Sequence, residues 1–250
     1  MEQLPKVLKS SQIYHLDIAA RAVSSVLMSQ NKRHGFIGGY AVTLLGGDRV
    51  TNDVDVIVGE SPQDIRKPLL EADKGFSLTE ANKLVFKVRS RPPLSLGESN
   101  SLKTGPPDTS LDVIIELLQG GADKQLRLPD AETVPLTWIN PSEFDSSRPN
   151  HAAPIVDPGV LILTKLKRWM FLAESTRPKS VTRAENDFYD MEKILRWLDK
   201  RSATIDLAKY PETPKEKLLQ GLRLLIRADG GRLYDLLKST LPPDDFQAIQ

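Results

Sequence analysis

Cysteine is absent from the 250-residue sequence. Its absence excludes disulfide bonds, thiolate zinc sites and a cysteine nucleophile. Histidine occurs three times without an H-x-x-x-H pair, and the sequence contains no G-x-S-x-G segment. Zinc-hydrolase and serine-hydrolase chemistry are therefore not expected. Aromatic residues make up 6% of the chain, which argues against a base-stacking sheet surface of the RNA-recognition type.

An excess of one charge and long apolar runs are also lacking. The formal net charge is +1, so no global field indicates binding to nucleic acid or to a membrane surface. The sequence has no run of about 18 apolar residues, so no transmembrane helix is expected. The first residues, MEQLPKVLKSSQIYHLDIAA, lack the apolar stretch of a secretory signal. We expect a cytoplasmic protein, with the nucleus as the alternative.

The chain changes character near residue 154. Before it, helix patterns alternate with strand patterns, which are HGFIGG, DVDVIVG, KLVFKVRS, LDVIIELL and VPLTWIN. After it, the apolar spacing is helical. We therefore predict an α+β fold, with a mixed sheet in a domain over residues 1–153 and a helical bundle over 154–250. A connection rich in Pro, Gly and Ser over 91–110 is predicted to join neighbouring strands.

Residues typical of N-caps mark the predicted helix starts. Ser61 and Asp157 each stand directly before a proline, which suits the first helical position. Two capping boxes, Thr182…Glu185 and Thr213…Glu216, predict the starts of two later helices.

Two aspartates, Asp53 and Asp55, interrupt the apolar strand DVDVIVG. Because side chains alternate along a strand, both carboxylates lie on one face and the valines on the other. A half-buried strand with one wet face would explain this pattern alone. The strand LDVIIELL also carries two acids, Asp112 and Glu116, on one face. If the two strands are neighbours, Asp112 would lie beside Asp53 and Asp55.

Three converging carboxylates are unstable without cations, because like charges repel. Magnesium, with manganese as the alternative, favours such oxygen ligands. Two such ions about 3.5–4 Å apart would serve in-line phosphoryl or nucleotidyl transfer. Glu116 is the alternative third ligand. It lies about 13 Å from Asp112 at the rise of a strand, so both cannot join one site.

A glycine pair, Gly38 and Gly39, separates a predicted strand from a predicted helix. Such a turn lets a phosphate approach the backbone and offers free N–H groups, although a plain tight turn is the alternative. Neither a GxGxxG motif nor a Walker loop is present. Arg49 and Thr51 stand just before the acids. Arg49 would neutralise carboxylates, contact a phosphate or lie on the surface, and Thr51 would cap the turn.

Together these segments resemble the nucleotidyltransferase superfamily, the fold of DNA polymerase β. The shared pattern is a glycine pair, a helical spacer, Asp-x-Asp and a third acid on a later strand. It is matched by GGYAVTLLGGDRVTNDVDVIV and LDVIIELL. The Arg and Thr before the first acid make the chain most similar to the AbiEii-type toxin nucleotidyltransferases. Later segments, LILTKLKRW and ENDFYDMEKIL, resemble the helical motifs of that group through Lys165, Asp187 and Asp190.

The resemblance implies a mixed-sheet nucleotidyltransferase core followed by a helical bundle, with a two-magnesium site. Asp53 and Asp55 would bridge both ions. Asp112 would bind the catalytic ion and accept the proton of the attacking hydroxyl.

The resemblance also implies a nucleotide-binding set. Gly38 and Gly39 would contact the triphosphate through backbone N–H groups, although the superfamily often has serine at the second position. Arg49 and Thr51 join this set. From the helical domain, Lys165 would reach the phosphates, while Asp187 would orient Lys165 or Arg168, or bind the acceptor.

The implied activity is transfer of a nucleotide monophosphate from ATP or another NTP to a hydroxyl, with release of pyrophosphate. The acceptor would be tRNA or another RNA, a protein or a small molecule. The alternatives are a non-catalytic nucleotide-binding regulatory or interaction module of the same fold, and a structural α/β domain with coincidental acids. The intact set of acids favours the enzyme. Toxin activity does not follow from the resemblance.

Overall fold

The structure, a computed structural model, describes residues 6–49, 51–89 and 110–250. Its strands are β1 (His34–Ile37), β2 (Asp53–Val58), β3 (Phe76–Leu78), β4 (Leu84–Arg89), β5 (Ser110–Gln119), β6 (Leu136–Ile139) and β7 (Ala153–Val156). Its helices are α1 (Lys6–Ser29), α2 (Gly38–Leu44), α3 (Pro62–Ala72), α4 (Pro158–Leu172), α5 (Pro178–Lys200), α6 (Lys215–Ala228), α7 (Tyr234–Thr240) and α8 (Pro243–Ile249).

The strands form one mixed sheet in the order β3-β4-β5-β2-β1-β7-β6. Strand β2 is antiparallel to β1 and parallel to β5, while β1 and β7 are parallel. Helices α4 to α8 follow the sheet, which confirms the predicted α+β class. Strands β4 and β5 pair antiparallel. The predicted connection over 91–110 between them lies outside the described residues, apart from Ser110.

The position of β2 follows from its apolar side. Val54, Val56 and Val58 are almost fully buried, and α1 lies against the sheet beside them. Burial of these valines fixes which face the alternating aspartates occupy, because a one-residue slip would put the carboxylates into the core. Among the described residues, no helix is long and apolar enough to cross a membrane.

Two of the four predicted N-caps are found in the structure. The side chains of Ser61 and Asp157 accept hydrogen bonds from Asp64 N and Gly159 N, as expected of N-caps. Both capping boxes are wrong. Helix α5 begins at Pro178, four residues before Thr182, and α6 begins at Lys215 after a Pro214 cap. Proline has the backbone angle of a first helical turn, which explains the earlier start of α5.

The domain division predicted at residue 153 falls within β7. That strand pairs with β1 and directly precedes α4. Residues 154–156 therefore form part of the sheet, and the division itself stays a prediction.

A buried ion pair joins α1 to the segment that follows β6. Arg148 donates from Nε and Nη2 to the two carboxylate oxygens of Asp17, each at 2.8 Å. The hydroxyl of Tyr40 also donates to Asp17 Oδ1 at 3.0 Å. Both charged side chains are almost fully removed from solvent, so each charge is compensated by the other rather than by water.

Arg148→Met is expected to lower the free energy of unfolding by about 3–5 kcal/mol, because it leaves the Asp17 charge buried without a cation. Urea denaturation measures this change. Lys67→Met is the matched control, since its pair with Glu71 spans 4.0 Å between side chains that are 80% and 67% exposed, and such pairs contribute little. Equal midpoints for the two variants would contradict the role of the buried pair.

Candidate active site

Three carboxylates converge where β2 and β5 run side by side. The parallel register places Asp55 opposite Glu116 and Asp53 opposite Ile114. One carboxylate oxygen from each of Asp53, Asp55 and Glu116 lies within 4.8 Å of the other two. The two aspartates are half-buried and Glu116 is exposed, so the cluster faces solvent on one side.

The expected convergence of Asp112 with the two aspartates is corrected by this register. Asp53 lies opposite Ile114, and Asp112 lies two residues before Ile114 on β5. On its other side, Asp112 lies opposite Lys87 of β4. At strand rise it is about 7 Å beyond the level of Asp53. Glu116, the alternative third acid, takes the place beside Asp55. The choice depends on the register of two strands, which the local pattern of either strand does not define.

The cluster has the electrostatics of a cation site. Loss of hydration, followed by the charges of Asp53 and Glu116, raises the pKa of Asp55 to about 7, although Lys165 and Arg168 oppose the rise. Three carboxylates offer only oxygen donors, which suits a hard divalent ion such as magnesium or manganese. The residues therefore fit a divalent metal.

The glycine pair lies against this cluster. Gly38 has a φ of +71°, and a Cβ built there would be 1.8 Å from Asp55 Oδ2. A Cβ on Gly39 would be 2.8 Å from Thr51 Oγ1 and 2.9 Å from an Arg49 nitrogen. Glycine is thus needed at position 38 for the aspartate strand to pack against α2, whereas a side chain at position 39 would displace Thr51 or Arg49. Contact of the two glycine N–H groups with a triphosphate stays a prediction.

A network of buried ion pairs lies beside the acids. Asp187 and Asp190 of α5 are fully buried. Asp187 accepts two bonds from Arg168, at 2.6 and 2.5 Å, and Asp190 accepts two from Arg49, at 3.1 and 3.0 Å. Lys165 Nζ lies 2.7 Å from Asp190 and 3.5 Å from Asp187. Two carboxylates thus hold three cations, which leaves one positive charge in excess.

A cleft of about 810 Å³ connects the acids to the helical part of the chain. Gly38, Asp55 and Glu116 lie at its sheet side. Helices α4 and α6 contribute its basic side chains, which are Lys165, Lys167, Arg168 and Lys217. Lys165 and Arg168 are paired with Asp187 and Asp190. The excess charge of the ion network and the charges of Lys167 and Lys217 are therefore what the cleft offers to a negatively charged ligand.

The fold of this chain is similar to that of a known protein, although its sequence matches no family. No protein-family model matches the chain, and a search of curated proteins finds no match. The structure is similar to the crystal structure of an antigenic nucleotidyltransferase-like protein from Paracoccidioides brasiliensis, with a TM-score of 0.65 and 17% sequence identity. The match covers 93% of this chain and 95% of that chain. The chain has a nucleotidyltransferase-like fold. The finer likeness to AbiEii-type proteins stays a prediction.

Apart from Asp112, the predicted site residues occupy three settings within this fold. Asp53 and Asp55 are in the acid cluster, and Thr51 donates to Asp53 Oδ1 at 2.7 Å. Gly38 and Gly39 form the turn packed against that cluster. Arg49, Lys165 and Asp187 are in the ion network. Asp187 contacts both Lys165 and Arg168, the two cations that it was expected to orient as alternatives.

One member of the network had no predicted role. Asp190 lies three residues after Asp187, which places both on one side of α5. The resemblance of ENDFYDMEKIL to a helical motif already included both aspartates, and their spacing is the signal for a joint role.

Proposed function

We propose that this chain is a metal-dependent nucleotidyltransferase that moves a nucleotide monophosphate from an NTP to a hydroxyl and releases pyrophosphate. The observation that carries the proposal is the cluster of Asp53, Asp55 and Glu116 at the end of a basic cleft. The nucleotidyltransferase-like fold supports it. ATP is the first NTP to test, and the acceptor classes are RNA, protein and small molecules.

In this proposal the ion network receives the triphosphate. Lys165 and Arg168 line the cleft and are held by buried carboxylates of α5. Because their partners are fixed in a helix, the cations are oriented before the nucleotide binds, which lowers the cost of ordering them. Asp187 and Asp190 are positioning residues in this account, since they act through the cations that they bind.

Asp53, Asp55 and Glu116 would hold magnesium or manganese. When bound, the metal would supply positive charge to the transferred phosphate and lower the pKa of the attacking hydroxyl. The acceptor oxygen forms a bond to the α-phosphorus, the bond from this phosphorus to the β-phosphate oxygen breaks, and pyrophosphate leaves with the electron pair. The hydroxyl proton passes to the exposed carboxylate Glu116.

Lys165→Met is expected to weaken NTP binding by about 10- to 100-fold, because it removes a charge-assisted contact to phosphate. The fold should persist, since Asp187 and Asp190 each keep an arginine partner. Calorimetric titration with a magnesium–NTP complex measures the affinity, and thermal denaturation checks the fold. Lys193→Met is the control, because Lys193 is a partly exposed lysine of α5 that pairs with Asp48. Unchanged affinity in Lys165→Met would remove this residue from the phosphate site.

The direct test is incubation of the protein with each α-labelled NTP, magnesium, and separate RNA, protein and small-molecule fractions of a cell extract. Transfer predicts label in one fraction, lost with EDTA and with Asp53→Asn. Binding of NTP without labelling of any fraction would favour the non-catalytic module instead.

A further inference from the structure

The cleft wall beyond the ion network carries an exposed aromatic ring. Phe171, near the end of α4, is 85% exposed and lines the same cleft as Asp55 and Glu116. Leu126, from the segment after β5, is 54% exposed and lines it too. Large apolar side chains on a cleft wall lose unfavourable contact with water when a flat apolar group covers them.

The segment that carries Leu126 is fixed by bonds to α4. Lys167 Nζ donates to the carbonyl oxygens of Leu126 and Arg127 at 2.6 and 2.7 Å, and to the hydroxyl of Tyr210 at 3.0 Å. The hydroxyl of Tyr210 in turn donates to the carbonyl of Arg127 at 2.6 Å. This part of the apolar wall is therefore anchored to the helix that carries Phe171.

Two cations and an aromatic ring follow one another along α4 at a spacing that one nucleotide can span. Lys165 lies beside the acids, Arg168 follows one turn later with its side chain half exposed, and Phe171 follows one turn after that. Six residues of helix rise about 9 Å, a distance that one nucleotide can span. A ligand whose phosphates contact Lys165 and Arg168 would bring its base to Phe171.

We propose that Phe171 is the surface on which the base of the nucleotide substrate stacks. This inference rests on the proposed function, because it assigns the triphosphate of the same molecule to the ion network. Stacking on an aromatic face tolerates every base. Phe171 therefore supports binding of all four NTPs to similar extents. Among the described residues of the cleft wall, the exposed Gln125 and Gln220 can form hydrogen bonds that distinguish base edges.

The test is calorimetric titration with two magnesium complexes, α,β-methylene-ATP and inorganic tripolyphosphate. Phe171→Ala is expected to weaken binding of the ATP analogue about tenfold, within the range measured for loss of base–aromatic stacking. Its affinity for tripolyphosphate should equal that of the wild type, because this probe has no base. Phe171→Trp should keep the affinity for the ATP analogue, whereas Phe171→Leu, which stays apolar, should lose it.

Trp138→Ala is the matched control, since Trp138 is an aromatic residue that is 53% exposed on edge strand β6. It should leave both affinities unchanged. Wild-type affinity of Phe171→Ala for the ATP analogue would overturn the inference and leave the proposed function intact. The same conclusion would follow if Phe171→Ala lowered only the rate of transfer to the acceptor and left this affinity unchanged. If wild-type protein bound neither probe, the proposed function would fail together with the inference.

Discussion

Asp55→Asn is expected to reduce nucleotide transfer by about 1,000-fold, and yet to make the metal-free protein more stable at pH 8. The loss of activity follows from the removal of a central carboxylate of the acid cluster. The gain in stability follows because this carboxylate loses hydration on folding and is repelled by Asp53 and Glu116. Asparagine has nearly the same shape, so its packing against Gly38 should persist.

The sign of the pH dependence follows from the raised pKa of Asp55. The carboxyl loses its proton near pH 4 in the unfolded chain and near pH 7 in the folded protein. The folded state therefore holds the extra proton between these values, and the free energy of unfolding falls as the pH rises from about 4 to about 7. The asparagine side chain of the variant would not titrate, so the stabilising effect of the substitution should be full above pH 7 and should disappear below pH 4.

Thermal denaturation of wild type and Asp55→Asn with EDTA, at several pH values, measures this difference. Magnesium should raise the Tm of the wild type at pH 8, because a ligand that binds the folded state stabilises it. It should have little effect on the variant. A variant that is less stable than the wild type at pH 8 would show that burial and the neighbouring acids do not destabilise the Asp55 carboxylate.

Glu116→Gln is expected to reduce the rate of nucleotide transfer about as much as Asp55→Asn does. Asp112→Asn should keep a rate close to that of the wild type. Both acids lie on the same face of β5, four residues apart, and both are exposed. They differ in their neighbours, because Glu116 lies opposite Asp55 and Asp112 lies opposite Lys87. The two variants make the same chemical change, so a difference between them reports position alone.

Rates of incorporation from α-labelled NTP, measured with saturating magnesium, provide this comparison. Both variants should stay folded under the assay conditions, because neither side chain is buried. Loss of activity in Asp112→Asn with normal activity in Glu116→Gln would restore Asp112 as the third acid and would require a different register between β2 and β5.

Local patterns predicted the parts of this site that lie within one segment. Alternation in β2 placed Asp53 and Asp55 on one face, and Val54 and Val56 in the core, because the period of a strand fixes this arrangement. The glycine pair between a strand and a helix was also predicted from its position. These features depend on neighbours a few residues away, which the sequence displays directly.

Features that depend on pairing between distant segments were not predictable in the same way. The third acid depends on the offset between β2 and β5, and a shift of four residues would exchange Glu116 for Asp112. The short strands β3 and β7 have three and four residues, too few to display a period. Thr213 lies in a typical capping-box pattern, yet Pro214 occupies the N-cap position of α6 and no side chain among the described residues caps that helix.

Nucleotide transfer at the three carboxylates is tested with one NTP labelled separately at the α- and γ-phosphates. With magnesium and a competent acceptor, the α-label should enter the acceptor and the γ-label should appear in pyrophosphate. Both products should be absent for Asp55→Asn and Glu116→Gln. Entry of the γ-label into the acceptor would instead show phosphoryl transfer, and full α-label incorporation by either variant would contradict the assignment of the three carboxylates.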